Sequence, residues 1–258
     1  MKRRSAPSWN GKRLRSDSPP CLASEMTAVL SAEQDQGWLS RLGVDAVLRA
    51  QGADPVRVRA RSPRLVALAE RALHEGRPLL APTIVRQRYT VLSRNHTGLR
   101  FRGGGGLSGP LIATECAPAA ELIVIAVTIG AGLETVTAEA MAREPGFGLA
   151  LDGLGTAAVE ALATAESGRI AAMAAAMGSC AGPPLSPGME GWPLQRGQRD
   201  IFRLLGEGDH PVRLDESGMM APVKSLTLVI GLGPAMRSGA SHCGFCSSRD
   251  RCCHRQVS

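Results

Sequence analysis

Four cysteines lie within the last sixteen residues of the chain, and their spacing suits metal binding. Cys243 and Cys246 form a C-x-x-C pair, in which two intervening residues let both thiolates reach one ion around a tight turn. Cys252 and Cys253, followed by His254, supply further ligands of a C-x2-C-x5-C-C-H pattern. This pattern fits one zinc ion or one iron–sulfur cluster. A free or redox-labile thiol tail fits it equally well, so both interpretations stay open.

Two pairs of acidic residues are the other candidates for chemistry. Asp152 and Glu160 lie eight residues apart, about two turns, and so share one side of a predicted helix. Such a pair is usually a solvated edge, and the alternative is a pair that faces a ligand. Asp215 and Glu216 precede two methionines at the start of a predicted strand, which favours the edge of a binding site. We find no Ser–His–Asp or Cys–His arrangement for nucleophilic catalysis.

A tract of four glycines at Gly103–Gly106 invites comparison with the loops that cradle phosphate groups. The tract lacks the Lys-Ser/Thr ending of such a loop, and no helix start follows at the required distance. It therefore favours a flexible hairpin loop between two strands.

Composition and charge limit the classes of function. The chain has 258 residues, which suits one or two domains, and only 3% aromatic residues, so aliphatic side chains must form its core. Residues 1–15 carry +6 and residues 237–258 carry +3, which leaves −2 for residues 16–236 of a chain whose net charge is +7. A globular nucleic-acid-binding protein usually carries its basic patch on the folded body. We therefore expect solvated basic termini and no nucleic-acid partner.

The sequence also indicates where in the cell the protein is found. No stretch approaches the roughly 20 apolar residues of a membrane span, and the longest apolar run, Leu122–Ile129, has the length of a strand. The basic N-terminus lacks the apolar region of a secretory signal. Seven cysteines, an odd number, do not form a secreted disulfide framework. We expect a cytoplasmic protein with no membrane partner.

Hydrophobic periodicity divides the chain into three parts: a disordered basic extension at 1–36, a domain at 37–236 and a cysteine-rich tail at 237–258. Within the domain, Ser62-Pro63 is a helix-start signal, because serine can cap a helix and proline suits its first turn. Alternating residues predict a strand at Thr83–Val91, and short strands follow at Leu99–Phe101 and Leu111–Ala113. Leu122–Ile129 is nearly all apolar, which predicts a central strand that is covered on both faces.

The second half of the domain is predicted to be mostly helical. One helix covers Leu133–Met141, and a longer one runs from Leu149 to about Met177, with a break at Gly168 because an interior glycine costs about 1 kcal/mol. Ser179–Pro193 has too many prolines and glycines for regular structure, and irregular segments of this length are often functional. A helix follows Pro193, and Val223–Ile230 reads as a strand.

Several segments together resemble the reactivation domain of cobalamin-dependent methionine synthase, in its stand-alone form. The segments are AVTIGAGLE (126–134), LDGLGTAAVEALA (151–163), LSPGMEGWPL (185–194) and VRLDESGMMAPVKSLTLVIGLG (212–233). The last two, in this order and spacing, are the specific ones. The stand-alone proteins also tend to end in a short cysteine-rich tail, as this chain does. The resemblance covers about residues 42–255.

The resemblance implies an α+β fold with a curved, mainly antiparallel sheet flanked by helices. Members of the family bind S-adenosylmethionine in a shallow groove and dock on a corrinoid protein, a cobalamin-dependent methyltransferase subunit, in its inactive cob(II)alamin state. An electron from a flavodoxin-like or other donor, trapped by methyl transfer from S-adenosylmethionine, restores methylcobalamin. The chain is therefore expected to act in trans within a methionine synthase system.

The resemblance also implies a set of residues for the S-adenosylmethionine site: Glu160, Ser186, Pro187, Gly188, Met189, Glu216, Ser217 and Met219. The family's loop looks like R-x-x-P-G-Y, in which this chain keeps Pro187 and Gly188 but has Pro184 for the arginine and Met189 for the tyrosine. Loss of an arginine–carboxylate contact worth roughly 1.5–3 kcal/mol weakens binding by about one to two powers of ten. Arg196 and Arg199 are candidates to replace that charge.

Two other hypotheses remain. The chain could be a non-catalytic partner of a corrinoid protein that binds S-adenosylmethionine weakly or not at all, a hypothesis motivated by Pro184 and Met189. Alternatively, Cys243, Cys246, Cys252 and Cys253 could hold zinc or an iron–sulfur cluster, and the chain would then pass electrons to the corrinoid.

Overall fold

The computed structural model describes residues 28–31, 36–206 and 210–237. In these ranges the fold is α+β, with a curved antiparallel sheet flanked by helices, which confirms the predicted fold class. The strands are β1 (Ala28–Ser31), β2 (Thr83–Asn95), β3 (Gly98–Phe101), β4 (Gly106–Ser108), β5 (Glu121–Thr128), β6 (Cys180–Ala181), β7 (Arg213–Leu214), β8 (Met220–Ala221) and β9 (Ser225–Gly233).

The order of the main sheet among the described residues is β4-β3-β2-β5-β9-β6, and each neighbouring pair is antiparallel. Strand β2 is long enough to have different partners along its length. Its first part, Thr83–Thr90, pairs with β5, and its second part, from Val91 to Asn95, pairs with β3 across a register shift. Strand β1 pairs with the start of β2, so the predicted disorder of residues 1–36 does not hold for Ala28–Ser31.

Strand β5 lies at the centre of the sheet and is buried on both faces, as its apolar sequence predicted. Ile123, Ile125 and Val127 pack into the core on one face, whereas Leu122 and Val124 pack into the core on the other. The helices that cover these faces are α1 (Val44–Ala50), α2 (Pro55–Arg61), α3 (Pro63–Gly76), α4 (Pro110–Glu115), α5 (Gly132–Arg143), α6 (Pro145–Ala176) and α7 (Leu194–Leu205).

Helix α6 is the main support of the first face, and it packs against α1, α3 and α5. Its glycines allow these helices to come close. A Cβ atom added at Gly148 would lie 2.6 Å from the backbone nitrogen of Met141 in α5, and one at Gly153 would lie 2.9 Å from the carbonyl oxygen of Val47 in α1. The second face is covered by α4, α7 and the segment around Leu185–Trp192.

Two local predictions were wrong. Leu111–Ala113 lies in helix α4 and not in a strand, because Pro110 provides a good first residue for a helix after Gly109. Gly168 does not break α6, which runs without interruption from Pro145 to Ala176. Packing of the buried stripe of α6 against the sheet and three helices outweighs the low helix propensity of one glycine.

One described helix, α6, is long and apolar enough to cross a membrane, judged by length and composition only. In the structure, 72% of its most apolar window is buried inside the protein. The core helix of a soluble protein passes the same test, so this feature is weak evidence for a membrane span.

Candidate functional site

The segment after β6 extends the edge of the sheet beside β9. The backbone N–H of Leu185 donates to the carbonyl of Val229 at 3.0 Å, and the N–H of Val229 donates back to Leu185 at 2.8 Å. This bridge is antiparallel, so the residues that follow Leu185 run beside the first part of β9. The sequence predicted irregular structure here, and apart from β6 and this bridge the segment is irregular.

The residues from Ser186 to Met189 form one compact turn. The Met189 N–H donates to the carbonyl of Ser186 at 3.2 Å, and the Ser186 N–H lies 3.3 Å from the sulfur of Met189. Gly188 has a φ of 95°, a conformation that favours glycine, and its N–H donates to the carbonyl of Trp192 at 2.8 Å. The structure therefore folds Ser186, Pro187, Gly188 and Met189 into one turn.

Trp192 anchors this turn to the core. Its side chain has an exposed fraction of 0% and packs in the core of the second face. Gly197 of α7 lies against the indole ring, because a Cβ atom added there would lie 2.8 Å from Nε1 and 2.9 Å from the Cβ of Pro187. The indole thus fixes the position of the Ser186–Met189 turn relative to α7.

A groove of about 380 Å³ separates the second half of α6 from the sheet edge. Its walls include Thr164, Ser167 and Gly168 on α6 and Pro184 on the edge segment. Glu160 lies one helical turn before Thr164 and is exposed, and Ser186 follows Pro184 by two residues. Neither Glu160 nor Ser186 is itself a lining residue of the groove.

Lys224 supplies the positive charge beside the first half of α6. Its Nζ lies 2.8 Å from Asp152 Oδ1 and donates to Thr156 Oγ1 at 2.9 Å. Asp152 is therefore an ion-pair partner, whereas Glu160 makes no hydrogen bond or ion pair among the described residues. The sequence analysis assigned no functional role to Lys224, although it is the only lysine after Lys12 and lies inside the resembling segment 212–233.

The other predicted residues form a turn between β7 and β8. Asp215 Oδ1 accepts hydrogen bonds from Ser217 Oγ at 2.7 Å and from the Met219 N–H at 2.9 Å. Gly218 allows the turn, with a φ of 83°. The Ser217 hydroxyl, followed by the Met219 amide, holds the pKa of Asp215 below its ordinary value. Glu216 projects into solvent from this turn.

We expect the turn to loosen in acid, because its hydrogen bonds favour ionised Asp215. A lowered folded pKa adds stability that is present above the unfolded pKa of about 4 and is lost as the pH falls through the folded value. The Met219 amide resonance, followed by NMR, should titrate with a midpoint below that of an ordinary aspartate. Asp215→Asn should abolish the titration, and Asp54→Asn, at the start of α2, should leave it unchanged. A midpoint at or above 4 would contradict this assignment.

The structure therefore arranges the predicted residues in three groups: Glu160 on α6, the Ser186–Met189 turn and the turn around Glu216, Ser217 and Met219. No hydrogen bond among the described residues links these groups to one another. The two turns share a core, because Met189 and Met220 pack against the same buried cluster. Arg196, one of the two candidates to replace the family's arginine, lines a separate cleft at β3 and β4.

The predicted metal ligands Cys243, Cys246, Cys252 and Cys253 lie outside the described residues. Within the described ranges, no group of three or more histidine, cysteine or acidic side chains is placed to hold a metal ion. The described cysteines, Cys116 and Cys180, are not in disulfides. Burial raises the pKa of the Cys116 thiol to about 12, so this cysteine is not a reactive thiolate.

Comparison with solved structures finds a similar fold. The chain matches a structure described as "Crystal Structure of the MetH Reactivation Domain bound to AdoHcy", with a TM-score of 0.61 and 15% sequence identity. The match covers 84% of this chain and 82% of that one. No protein-family profile and no curated protein sequence matches the chain.

Proposed function

We propose that this chain binds S-adenosylmethionine in the groove beside α6 and reactivates a cobalamin-dependent methyltransferase of the methionine synthase type in trans. The observation that carries the proposal is the coincidence of two findings. The fold is similar, over 84% of the chain, to a reactivation domain whose structure holds AdoHcy. The groove of about 380 Å³ is lined by Thr164 and Pro184, which directly adjoin the resembling segments 151–163 and 185–194, and by Ile230 of segment 212–233.

The groove offers groups that suit a sulfonium nucleoside. Glu160, one helical turn before the lining residue Thr164, has no hydrogen-bond or ion-pair partner among the described residues, and its carboxylate suits the amino group or the ribose hydroxyls of the ligand. The hydroxyl of Thr164 faces the groove from the same helix, while Ser167 donates its own hydrogen to the carbonyl of Ala163 at 2.8 Å and so offers an acceptor. In the absence of an arginine at position 184, we assign the ligand carboxylate to Lys224, whose Nζ lies beside the first half of α6, 2.8 Å from Asp152 Oδ1.

The proposed reaction needs positioning and no acid–base catalyst. The partner's cob(II)alamin takes one electron from a flavodoxin-like donor, and the reduced cobalt attacks the methyl carbon of S-adenosylmethionine. The carbon–sulfur bond breaks, S-adenosylhomocysteine leaves and methylcobalamin remains on the partner. Because reduction of cob(II)alamin is uphill, methyl transfer pulls it forward, and the chain contributes by holding the methyl group in line with cobalt.

Two exposed apolar side chains mark the surface that we propose for the corrinoid partner. Met219 is 59% exposed and Val223 is 60% exposed, and both precede β9 on its approach to the sheet. The Val223 N–H donates to Glu134 Oε1 at 2.6 Å, which fixes this approach against α5. Exposed apolar side chains are typical of the core of a protein–protein contact, whose rim is polar. We also propose a cytoplasmic location, where such a partner and a flavodoxin-like donor would be found.

We expect wild-type protein to bind S-adenosylmethionine in calorimetry, and Glu160→Gln to weaken that binding about 10- to 100-fold, because a charge-assisted contact is lost. Glu70→Gln, at an exposed position of α3, is the matched control and should bind as wild type does. If wild-type protein did not bind S-adenosylmethionine at millimolar concentration, the proposal would be contradicted. That outcome would instead favour the non-catalytic corrinoid partner.

Reactivation itself is tested by mixing the protein, S-adenosylmethionine and a reductant with a methyltransferase loaded with cob(II)alamin. The expected result is the visible spectrum of methylcobalamin, formed only when all components are present. The zinc or iron–sulfur site at Cys243, Cys246, Cys252 and Cys253 stays a separate proposal. Metal analysis and a visible spectrum of anaerobically purified protein test it, and a colourless, metal-free protein would remove it.

A further inference from the structure

A second cleft, of about 320 Å³, lies at the far end of the sheet between the β2–β3–β4 region and α7. It shares no lining residue with the groove beside α6. Arg94, Arg100, Arg196 and Arg203 line it, and Asp200 is the acidic residue among the lining side chains. The cleft is therefore strongly cationic, although the body of the chain carries a slight negative charge.

The acidic residue of the cleft is already committed to its neighbours. Asp200 Oδ1 lies 2.9 Å from Arg203 Nη1, and Asp200 Oδ2 accepts a hydrogen bond from Ser108 Oγ at 3.3 Å. The Asp200 side chain is 14% exposed, so these contacts hold it in the floor of the cleft. Asp200 thus neutralises and orients Arg203, and the other guanidinium groups keep their charge for a ligand.

Two of these guanidinium groups have no partner. Arg100, on β3, and Arg196, in the first turn of α7, are exposed and make no hydrogen bond or ion pair among the described residues. Arg94 donates to the carbonyl oxygen of Ala117. Each guanidinium carries five N–H donors in a fixed fork, which matches the oxygens of a phosphate group.

The rest of the lining narrows the class of ligand. Gly105 and Gly106 border the cleft, and Ser93 and Thr97 add hydroxyl groups. Among the described residues no aromatic side chain lines the cleft, so it offers no aromatic ring on which a nucleobase would stack. Its volume lies near the lower end of small-molecule sites, which span about 300–1,000 Å³. These features favour the phosphate group itself over a base or an extended nucleic acid.

We propose that this cleft binds the phosphomonoester or pyrophosphate group of a small molecule, with Arg100 and Arg196 as its principal ligands. Gly105 and Gly106, of the glycine tract for which the sequence favoured a hairpin loop, leave no side chain between these arginines and the ligand. The inference is independent of the proposed S-adenosylmethionine site.

Calorimetry with inorganic pyrophosphate and inorganic phosphate tests the proposal, with ionic strength held constant by sodium chloride. We expect pyrophosphate to bind, and Arg100→Gln and Arg196→Gln each to weaken its binding about tenfold or more. Arg64→Gln, at an exposed position of α3, is the control and should leave pyrophosphate binding unchanged. Unchanged thermal unfolding of the variants would show that they fold, and unchanged S-adenosylmethionine binding would separate the two sites.

Three outcomes would overturn the inference. The first is no binding of pyrophosphate at millimolar concentration. The second is an equal loss of binding in the Arg64→Gln control, which would indicate general attraction of anions to a basic protein. The third is a glutamate-rich peptide that binds more tightly than pyrophosphate, which would make the cleft a docking surface for an acidic protein segment.

Discussion

Gly168→Phe is expected to weaken S-adenosylmethionine binding by more than about a hundredfold while the protein stays folded, because steric exclusion removes the whole bound pose. Gly168 lines the groove from α6, and a Cβ atom added there would meet no atom within 4 Å. A phenyl ring at this position therefore enters the groove without displacing packed atoms. The groove volume of about 380 Å³ is small enough for one aromatic ring to occupy a large part of it.

Two variants serve as controls for this blocking experiment. Ala172→Phe adds the same ring at an exposed position of α6 that does not line the groove, and its binding should match wild type. Gly168→Ala adds only a methyl group, should retain binding, and should raise the free energy of unfolding by up to about 1 kcal/mol through helix propensity. Calorimetry and thermal unfolding measure both effects. If Gly168→Phe bound S-adenosylmethionine normally, the ligand site would have to lie outside this groove, but the fold assignment would be unaffected.

The central sheet was predictable because its signal is local. An eight-residue apolar run such as Leu122–Ile129 can be satisfied only by burial on both faces, and β5 has that burial. The long helix was predictable for a similar reason, since its apolar stripe persists over many turns. The helix break predicted at Gly168 was wrong because helix propensity is a weak predictor that tertiary packing overrides. The strand predicted at Leu111–Ala113 was wrong because a three-residue apolar run is too short to show a period that distinguishes a strand from a helix.

The site was predictable in part. The prolines and glycines of Ser179–Pro193 predicted irregular structure, and within this segment the structure has the Ser186–Met189 turn. The groove itself was not predictable, because its walls are small residues whose meeting depends on tertiary structure. Pro184 and Thr164 have no signal that would join them. The Lys224–Asp152 ion pair was not predictable for the same reason, since it joins residues 72 positions apart.

The arginine cleft shows a second limit of sequence reasoning. A net charge of −2 over residues 16–236 argued against a nucleic-acid partner, but a sum over a segment carries no information on where the charges lie in space. Folding brings Arg94 and Arg100 of adjacent strands beside Arg196 and Arg203 of α7, while the compensating carboxylates lie elsewhere except for Asp200. The local field of such a cluster, rather than the net charge, determines what binds there.

Trp192→Ala is expected to lower the free energy of unfolding by about 3–5 kcal/mol, the range for truncation of a large aromatic side chain in a packed core. Trp192 has an exposed fraction of 0%, and Gly109 and Gly197 approach its ring so closely that neither can carry a Cβ atom without a shift. Removal of the indole therefore leaves a cavity that the surrounding backbone cannot readily fill. Denaturation with urea, followed by circular dichroism, measures the loss.

The loss should extend to the site, because the indole holds the Ser186–Met189 turn against α7. Phe101→Ala is the matched control: Phe101 is also buried, at 2% exposed, and belongs to the same core cluster as Trp192, but it lies on β3 and not beside the Ser186–Met189 turn. We expect both variants to lose stability, and only Trp192→Ala to bind S-adenosylmethionine more weakly when binding is corrected for the folded fraction. If the two variants bound S-adenosylmethionine equally well, the Ser186–Met189 turn would have no role in ligand binding.

Trp192→Phe sharpens the test, because it keeps most of the ring and removes the indole N–H. Nε1 of Trp192 is buried and has no hydrogen-bond partner among the described residues, so its removal breaks no hydrogen bond and relieves a buried unsatisfied donor. We therefore expect a cost below about 1.5 kcal/mol for this near-conservative change in shape. A cost close to that of Trp192→Ala would mean that Nε1 has a partner in solution, and that the turn is held by a hydrogen bond as well as by packing.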